Sequence, residues 1–224
     1  MSSKRVLILY TSAGMGHYRV AQALYEAFCS LAQDVEARVC DSLDYTNPVF
    51  KNLYGGTYIG LVKKTPELWG YLYNKYDDVS FSRKSEKLRR ILTKVNSLEL
   101  LSLVADYAPH AILCTHFFPL GVLCPQRKRG KLSSAIHCVI TDFAVHSFWV
   151  QSPVDRYFVA TEELKRFLAR RGQAPDTVEV LGIPVACAFT EPVVRQEARR
   201  HLGLDPARQT VLIVSGGFGV GPIE

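Results

Sequence analysis

Three histidines and an aspartate stand at positions from which they could do acid–base chemistry. His17 follows the glycines of "SAGMGH", His116 stands in "CTHFFP", and Asp142 and His146 lie in "ITDFAVHSFW". Imidazole titrates nearest neutral pH, and a carboxylate close by can orient it or stabilise its charge. A single histidine is more often structural, but three of the chain's six histidines follow strand-like runs. This placement favours a functional site.

Two other kinds of site use similar residues. A metal cluster remains a minor alternative, because no two of these side chains have the close helical or hairpin spacing that metal sites favour. The loop also matches part of the dinucleotide motif G-x-G-x-x-G, with Gly14 and Gly16 as its first glycines and Asp41 as the later acid. Arg19 occupies the third glycine position, so a NAD-type site is not expected. The N–H groups of the loop could still bind another anion or an oxygen-rich group.

The elements that must position these residues alternate between strands and helices. Helical patterns are predicted at 18–28, with an apolar face that includes Val20 and Phe28, and at 161–172, with Thr161 as N-cap and Gly172 as the stop. The strand-like runs are 6–10, 35–40, 110–115, 136–141, 156–161 and 177–182. This alternation predicts a Rossmann-like α/β fold, a parallel sheet with helices on both faces. Ligands bind such sheets at the carboxyl ends of the strands, where the histidines fall.

Composition excludes several protein classes. No run approaches the roughly 18 apolar residues of a membrane span. The apolar N-terminal stretch is short and leads into a glycine loop, so a buried first strand explains it better than a signal peptide. Six scattered cysteines form no C-x-x-C pair, which favours a reduced cytoplasmic protein over a zinc or redox site.

The net charge of +6 is concentrated in one segment. Residues 51–100 carry ten Lys or Arg against five Asp or Glu, interleaved with Tyr, Trp and Phe. This mixture suits an anionic membrane surface, where aromatic rings lie at headgroup depth and basic residues attract the lipid. A helical subdomain with a solvated basic face is an equal alternative. Nucleic acid is not the expected partner, since no binding motif accompanies the charge.

The pattern changes after residue 183. Two prolines in "GIPVACAFTEP" end the alternation, and a short helix is predicted from Pro192 to about His201, with Gly203 as its stop. An apolar strand at 210–214 and a second glycine loop then repeat the opening arrangement. We predict an N-terminal domain at 1–185, with an insertion at 50–84, and a linker plus the start of a second domain at 186–224.

An ordered series of motifs resembles one family over almost the whole chain. The motifs are "SAGMGHYRVAQAL", "THFFPLGVL", "VITDFAVHSFWVQSPVDRYFVATEELK", "LGIPV" and "SGGFGVG". They resemble the N-terminal portion of the diacylglycerol glycosyltransferases, the monogalactosyldiacylglycerol synthases and bacterial processive diacylglycerol glucosyltransferases. The resemblance implies the N-terminal domain of a GT-B glycosyltransferase, followed by the first strand and loop of its second domain. Ala13 and Met15 depart from the family's more glycine-rich loop, which bears on sugar choice.

The resemblance also implies residue roles in an inverting transfer of a hexose from a UDP-sugar to diacylglycerol. His17 would be the base that accepts the proton of the acceptor hydroxyl, and Asp142 would orient that hydroxyl or a histidine. The implied acceptor-binding residues are Ser12, Gly14, Gly16, His116, Phe117, His146 and Trp149. The implied donor-diphosphate residues are Gly216, Gly217, Phe218 and Gly219, through backbone N–H groups.

Partners and location follow from the same resemblance. The donor would be UDP-glucose or UDP-galactose, and no cofactor or metal is expected, because the sequence has no D-x-D triplet. Residues 50–84 would dock the protein on the inner face of the cell membrane. Two alternatives stay open: an inactive lipid- or membrane-binding module, and a glycosyltransferase for a polyprenyl-linked acceptor. The isolated chain is expected to be catalytically feeble, because most of the nucleotide site would lie beyond Glu224.

Overall fold

A six-stranded parallel sheet forms the centre of the chain. The computed structural model describes residues 3–32, 34–52, 54, 98–143 and 145–214. All neighbouring strands are parallel, in the order β2-β1-β3-β4-β5-β6. The strands are β1 (Lys4–Tyr10), β2 (Val35–Asp41), β3 (Ala111–Cys114), β4 (Ala135–Val139), β5 (Arg156–Val159) and β6 (Val178–Val180). The predicted Rossmann-like sheet is therefore confirmed, with all six strand-like runs in it.

Helices connect the strands, as the alternating pattern predicts. The main helices of the described part are α1 (Met15–Leu31), α2 (Leu98–Tyr107), α3 (Phe117–Lys128), α4 (Glu162–Arg170) and α5 (Arg195–His201). Short 3₁₀ helices lie at Ser42–Tyr45, Ser147–Trp149, Pro175–Thr177 and Cys187–Phe189.

The predicted cap at Thr161 and the predicted glycine stops are confirmed, whereas α5 begins at Arg195 rather than at the predicted Pro192. Thr161 caps α4, because its hydroxyl accepts the N–H of Leu164 at 3.4 Å. Gly172 and Gly203 follow α4 and α5 with φ of +88° and +67°. That left-handed conformation is one that glycine adopts without the steric penalty of a Cβ atom.

Apolar side chains bury both faces of the sheet. Val6 and Ile8 of β1 pack with Val20 of α1 on one face. Leu7 and Leu9 point to the other face, in a cluster that includes buried residues of α2, α3 and α4. This alternation follows from the two-residue period of a strand. Helices α1 and α3 therefore leave the adjacent strands β1 and β3 toward opposite faces of the sheet.

Some predicted features differ from the structure or lie outside it. The predicted strand at 210–214 is wrong for the described structure: residues 209–214 pair with no described strand, and Val211 and Leu212 are each 83% exposed. A strand needs a neighbouring backbone to complete its hydrogen bonds, which apolar β-formers alone do not supply. The sequence also predicts a long helical stretch at 85–107, of which only α2 lies among the described residues, and nearly all of the basic insertion at 50–84 lies outside them. The division into domains at residue 185 stays a prediction.

Candidate active site

The predicted catalytic residues converge where the order of the sheet reverses. The chain passes from β1 to β2 on one side and later returns to place β3 on the other side of β1. The helices that follow β1 and β3 diverge at this point and leave a crevice outside the strand ends. The rings of His17 and His116 lie there, with their centroids 4.6 Å apart. Asp142, which follows β4, is close enough to His17 to affect its pKa.

His17 stands in the first turn of α1 and is fixed across the crevice. Its Nδ1 lies 2.9 Å from the carbonyl oxygen of Thr115 and 2.8 Å from the hydroxyl oxygen of Thr141. A carbonyl oxygen only accepts hydrogen bonds, so Nδ1 is the nitrogen that carries the proton. In a neutral imidazole the other nitrogen, Nε2, is then an acceptor. His17 therefore presents the lone pair that a general base requires.

The electrostatic environment keeps this imidazole neutral at rest. Burial lowers the pKa of His17 below its usual value, whereas the Asp142 carboxylate and the Thr115 carbonyl oppose this shift. Burial raises the pKa of Asp142, and His17 opposes that shift in turn. Each group thus favours the charged form of the other. A proton accepted by His17 would produce an imidazolium close to a carboxylate, which stabilises it.

Trp149 is buried beside His17. Its side chain is fully buried, and its ring centroid is 6.2 Å from that of His17. The indole Nε1 has no acceptor at hydrogen-bonding distance among the described residues. It nevertheless lies near enough to the Asp142 carboxyl to favour its charged form. The indole N–H is therefore a donor that favours the charged form of Asp142 from beyond ordinary hydrogen-bonding distance.

His116 and His146 hold their protons on the opposite nitrogen from His17. The Nδ1 atom of His116 accepts the N–H of Phe118 at 3.1 Å and caps α3. The Nδ1 atom of His146 accepts the N–H of Phe148 at 3.2 Å. A nitrogen that accepts a hydrogen bond carries no proton, so both neutral rings are protonated at Nε2. Burial, with His17 and His146 nearby, holds the pKa of His116 well below its usual value.

An aromatic wall continues from these histidines. Phe117 packs against His116 with ring centroids 4.0 Å apart, and against His146 at 4.9 Å. It also contacts Trp149 at 5.6 Å. On the other side of His116 stands Tyr54, whose ring lies edge-on at 6.4 Å. The wall joins the implied acceptor-binding residues to the described start of the basic aromatic insertion.

The glycine loop beside His17 has free space and a fixed backbone. Asp41 is buried, and its Oδ1 accepts the N–H groups of Ser12 and Leu43. A Cβ atom on Gly16 would meet nothing within 4 Å, and one on Gly14 would only touch the His17 ring at 3.7 Å. Packing within the chain therefore does not explain the two glycines. Asp41 also anchors the loop, a role that the dinucleotide alternative does not assign to it.

The structure brings together most of the predicted residues and adds three. Gly216, Gly217, Phe218 and Gly219 lie outside the described residues. Thr115 and Thr141, which position His17, and Tyr54, which packs on His116, were not among the predicted site residues. The two threonines directly precede His116 and Asp142. Their position at the ends of predicted strands was the sequence feature that could have identified them as site residues. Only the folded sheet shows that they bind His17.

Sequence comparisons with known proteins point to diacylglycerol glycosyltransferases. The profile of the monogalactosyldiacylglycerol (MGDG) synthase family matches residues 17–185. The processive diacylglycerol beta-glucosyltransferase of Bacillus subtilis (strain 168) is 30% identical over 219 residues, which cover 98% of this chain and 56% of that protein. Its counterpart from Bacillus pumilus (strain SAFR-032) is 31% identical over 221 residues, covering 98% and 55%. The chain thus spans about half the length of the curated relatives it matches.

A solved structure is also similar. UDP-GlcNAc 2-epimerase from Neisseria meningitidis bound to UDP-GlcNAc matches with a TM-score of 0.47 at 12% identity, covering 88% of this chain and 50% of that one.

Proposed function

This chain belongs to the monogalactosyldiacylglycerol synthase family, and from that premise we propose that it supplies the acceptor half and the base of an inverting glycosyltransferase. The enzyme would move a hexose from UDP-glucose or UDP-galactose to the hydroxyl of membrane diacylglycerol. The observation that carries the proposal is His17, a neutral imidazole with Nε2 as acceptor, beside Asp142 in the crevice at the β1–β3 switch.

The proposed reaction is a single displacement. The acceptor hydroxyl oxygen attacks the anomeric carbon while its proton passes to Nε2 of His17. The bond between that carbon and the diphosphate oxygen breaks, and UDP leaves from the opposite face, so the configuration inverts. Asp142 stabilises the imidazolium that forms. Because the departing diphosphate would be held by the N–H groups of Gly216, Gly217, Phe218 and Gly219, we propose no cofactor and no metal.

The acceptor would approach along the aromatic wall. Phe117 is partly exposed and offers apolar surface suited to the glycerol backbone and acyl chains. The predicted acceptor residues His116, His146 and Trp149 are buried, so they would support Phe117 through ring contacts rather than touch the lipid. The open positions at Gly14 and Gly16 leave room beside His17, and the exposed Ser12 adds a hydroxyl to the same loop.

Membrane docking is the remaining part of the proposal. No helix in the described part of the chain is long and apolar enough to span a bilayer. Phe50 packs against Phe118 with ring centroids 5.7 Å apart, and Tyr54 packs against the same ring at 5.7 Å. The basic aromatic insertion at 50–84 therefore begins against the acceptor wall. We propose that this insertion holds the cytoplasmic protein on the anionic inner face of the cell membrane, where the lipid substrate resides.

The test compares His17→Gln with the wild type in the natural full-length polypeptide that carries this sequence. Glycolipid formation is measured with labelled UDP-glucose and UDP-galactose on diacylglycerol vesicles, and lipid binding is measured by vesicle sedimentation. Loss of a general base lowers the rate by about two to four orders of magnitude, whereas vesicle binding should not change. His201→Gln, which alters an exposed histidine of α5, is the matched control.

Other results would reject the proposal. Equal rates of sugar transfer for His17→Gln and the wild type would show that His17 is not the general base. Vesicle binding without transfer of either sugar by the wild type would favour the lipid-binding module. Transfer to a polyprenyl-linked sugar in preference to diacylglycerol would favour the alternative acceptor class.

A further inference from the structure

The Nδ1 atom of His17 lies against two oxygens that come from different strands. One is the carbonyl oxygen of Thr115 at the end of β3, and the other is the hydroxyl oxygen of Thr141 just after β4. We propose that Thr141 is a positioning residue whose hydroxyl shares the Nδ1 proton of His17 with the Thr115 carbonyl and so fixes the orientation in which the ring presents Nε2. The reactive role of Nε2 rests on the proposed function, whereas the location of the proton does not.

The opposite arrangement is excluded by the position of Thr115. If the Thr141 hydroxyl donated to Nδ1, the Nδ1 lone pair would face a carbonyl oxygen 2.9 Å away, and neither atom could donate. Thr115 cannot easily move to relieve this contact. Its N–H donates to the Leu9 carbonyl at 2.9 Å, and its hydroxyl donates to the His17 carbonyl at 3.0 Å. The hydroxyl of Thr141 must therefore accept.

Asp142 does not provide this orientation. Both oxygens bonded to Nδ1 belong to the threonines, and Asp142 acts on the ring through its charge. The two neighbouring residues therefore have separable effects. Removing the Thr141 hydroxyl should disturb the orientation of the ring, whereas Asp142→Asn should leave that orientation unchanged and only make the imidazolium form less stable.

Three other histidines serve as internal references. His110, His116 and His146 each accept a backbone N–H at Nδ1, at 3.0, 3.1 and 3.2 Å. Each of them must carry its proton on Nε2. His17 is expected to be the opposite tautomer. The signals of the three reference histidines can therefore be compared with those of His17 in the same spectrum.

Nuclear magnetic resonance of the ¹⁵N-labelled chain tests the proposal at neutral pH. Long-range ¹H–¹⁵N correlations distinguish a protonated from an unprotonated ring nitrogen, and the spectrum of His17→Gln assigns the His17 signals. We expect a protonated Nδ1 and a bare Nε2 for His17, and the reverse for the three references. A His17 ring protonated at Nε2 in the wild type would overturn the proposal without any variant.

Thr141→Val and Thr141→Ser test the hydroxyl itself. Valine keeps the shape of threonine without the hydroxyl, so the proton should stay on Nδ1 while the His17 ring signals shift through loss of the second hydrogen bond, and serine should retain the wild-type signals. Unchanged His17 signals in Thr141→Val would refute the role of Thr141. Backbone amide spectra show whether each variant is folded, and Thr141→Ala replaces Thr141→Val if valine is not accommodated.

Kinetics separate this proposal from the proposed function. In the natural full-length polypeptide, Thr141→Val should lower kcat with little change in KM, by as much as about 100-fold for a misplaced catalytic group, and Thr141→Ser should recover it. If the wild type transfers no sugar but His17 has the expected tautomer, the proposed function fails and this inference stands. If transfer is normal in Thr141→Val, the inference fails and the proposed function stands.

Discussion

Replacing His116 by asparagine should make the stability of the chain less sensitive to acid. His116 is 2% exposed, and its Nδ1 accepts the N–H of Phe118 at 3.1 Å. A protonated imidazole has no acceptor, so protonation would break this cap and bury a charge beside His17 and His146. Burial and these two rings hold the pKa of His116 well below 6.5. The unfolded chain therefore binds a proton near pH 6.5 that the folded chain does not.

Proton linkage gives the sign and the size of this effect. Because the unfolded state binds more protons, stability is fully present above the unfolded pKa and falls as the pH falls below it. One such group changes the free energy of unfolding by about 1.4 kcal/mol per pH unit. From about pH 7.5 to about pH 5, the loss reaches about 2 kcal/mol while His116 stays neutral in the fold. A domain is stable by only 5–15 kcal/mol, roughly, so this loss is measurable.

Asparagine is chosen because it keeps the cap without the titration. Its side-chain oxygen can accept the Phe118 N–H, since asparagine is among the preferred N-cap residues. The variant loses ring contacts with Phe117 and is expected to be less stable at neutral pH. The tested quantity is therefore the slope with pH rather than the absolute stability. His17 and Asp142 titrate in both proteins, so their contributions cancel in the comparison.

Guanidinium denaturation followed by circular dichroism measures the slope. Between about pH 7.5 and about pH 5, the wild type should lose about 2 kcal/mol more than His116→Asn. His201→Asn, at an exposed position in α5, controls for the removal of a histidine and should retain the wild-type slope. A slope in His116→Asn equal to that of the wild type would refute the reasoning, because His116 would then not be held neutral by the fold.

Two further predictions concern a glycine and a cap. Gly16→Ala should not lower the denaturation midpoint, since alanine is favoured over glycine in helices by up to about 1 kcal/mol and the Cβ meets nothing within 4 Å. It should lower glycosyl transfer, whereas Gly121→Ala, with equal free space in α3, should not; a fall in the midpoint would show that the fold requires Gly16. Thr161→Ala should destabilise the chain by about 1 kcal/mol through loss of the cap on Leu164, with Thr161→Ser as control. Equal midpoints for the two Thr161 variants would contradict the assigned cap.

The central strands were predictable because they are buried on both faces and appear as apolar runs, as in β1 and β3. The edge strands β2 and β6 carry charged residues and were recognisable instead by their place in the alternation of strands and helices. Strand ends were less predictable: the run 136–141 was expected to continue through Thr141, but β4 ends at Val139. The length of a strand depends on how far its neighbours extend, and that information lies elsewhere in the chain. The apolar run at 210–214 shows the same dependence, because without a described neighbour it forms no strand.

The candidate site was predictable as a set of residues but not as a chemical state. The rule that parallel sheets bind ligands at the carboxyl ends of their strands was sufficient to group His17, His116 and Asp142. The sequence did not indicate which ring nitrogen carries the proton. That depends on the Thr115 carbonyl, a backbone atom 98 positions from His17, and such a contact has no pattern of residue types.

The opposing influences on His17 suit a base that must accept a proton and later release it. Burial disfavours the imidazolium, so the ring is neutral before substrate binds. Asp142 and the Thr115 carbonyl favour the imidazolium, so in the proposed reaction the ring could accept a proton as the acceptor oxygen attacks. Asp142→Asn removes the largest opposing influence and leaves burial, so we expect the pKa of His17 to fall further. The acidic limb of the pH–rate profile should then move to lower pH while the maximal rate drops, and a limb that moved to higher pH would contradict this balance.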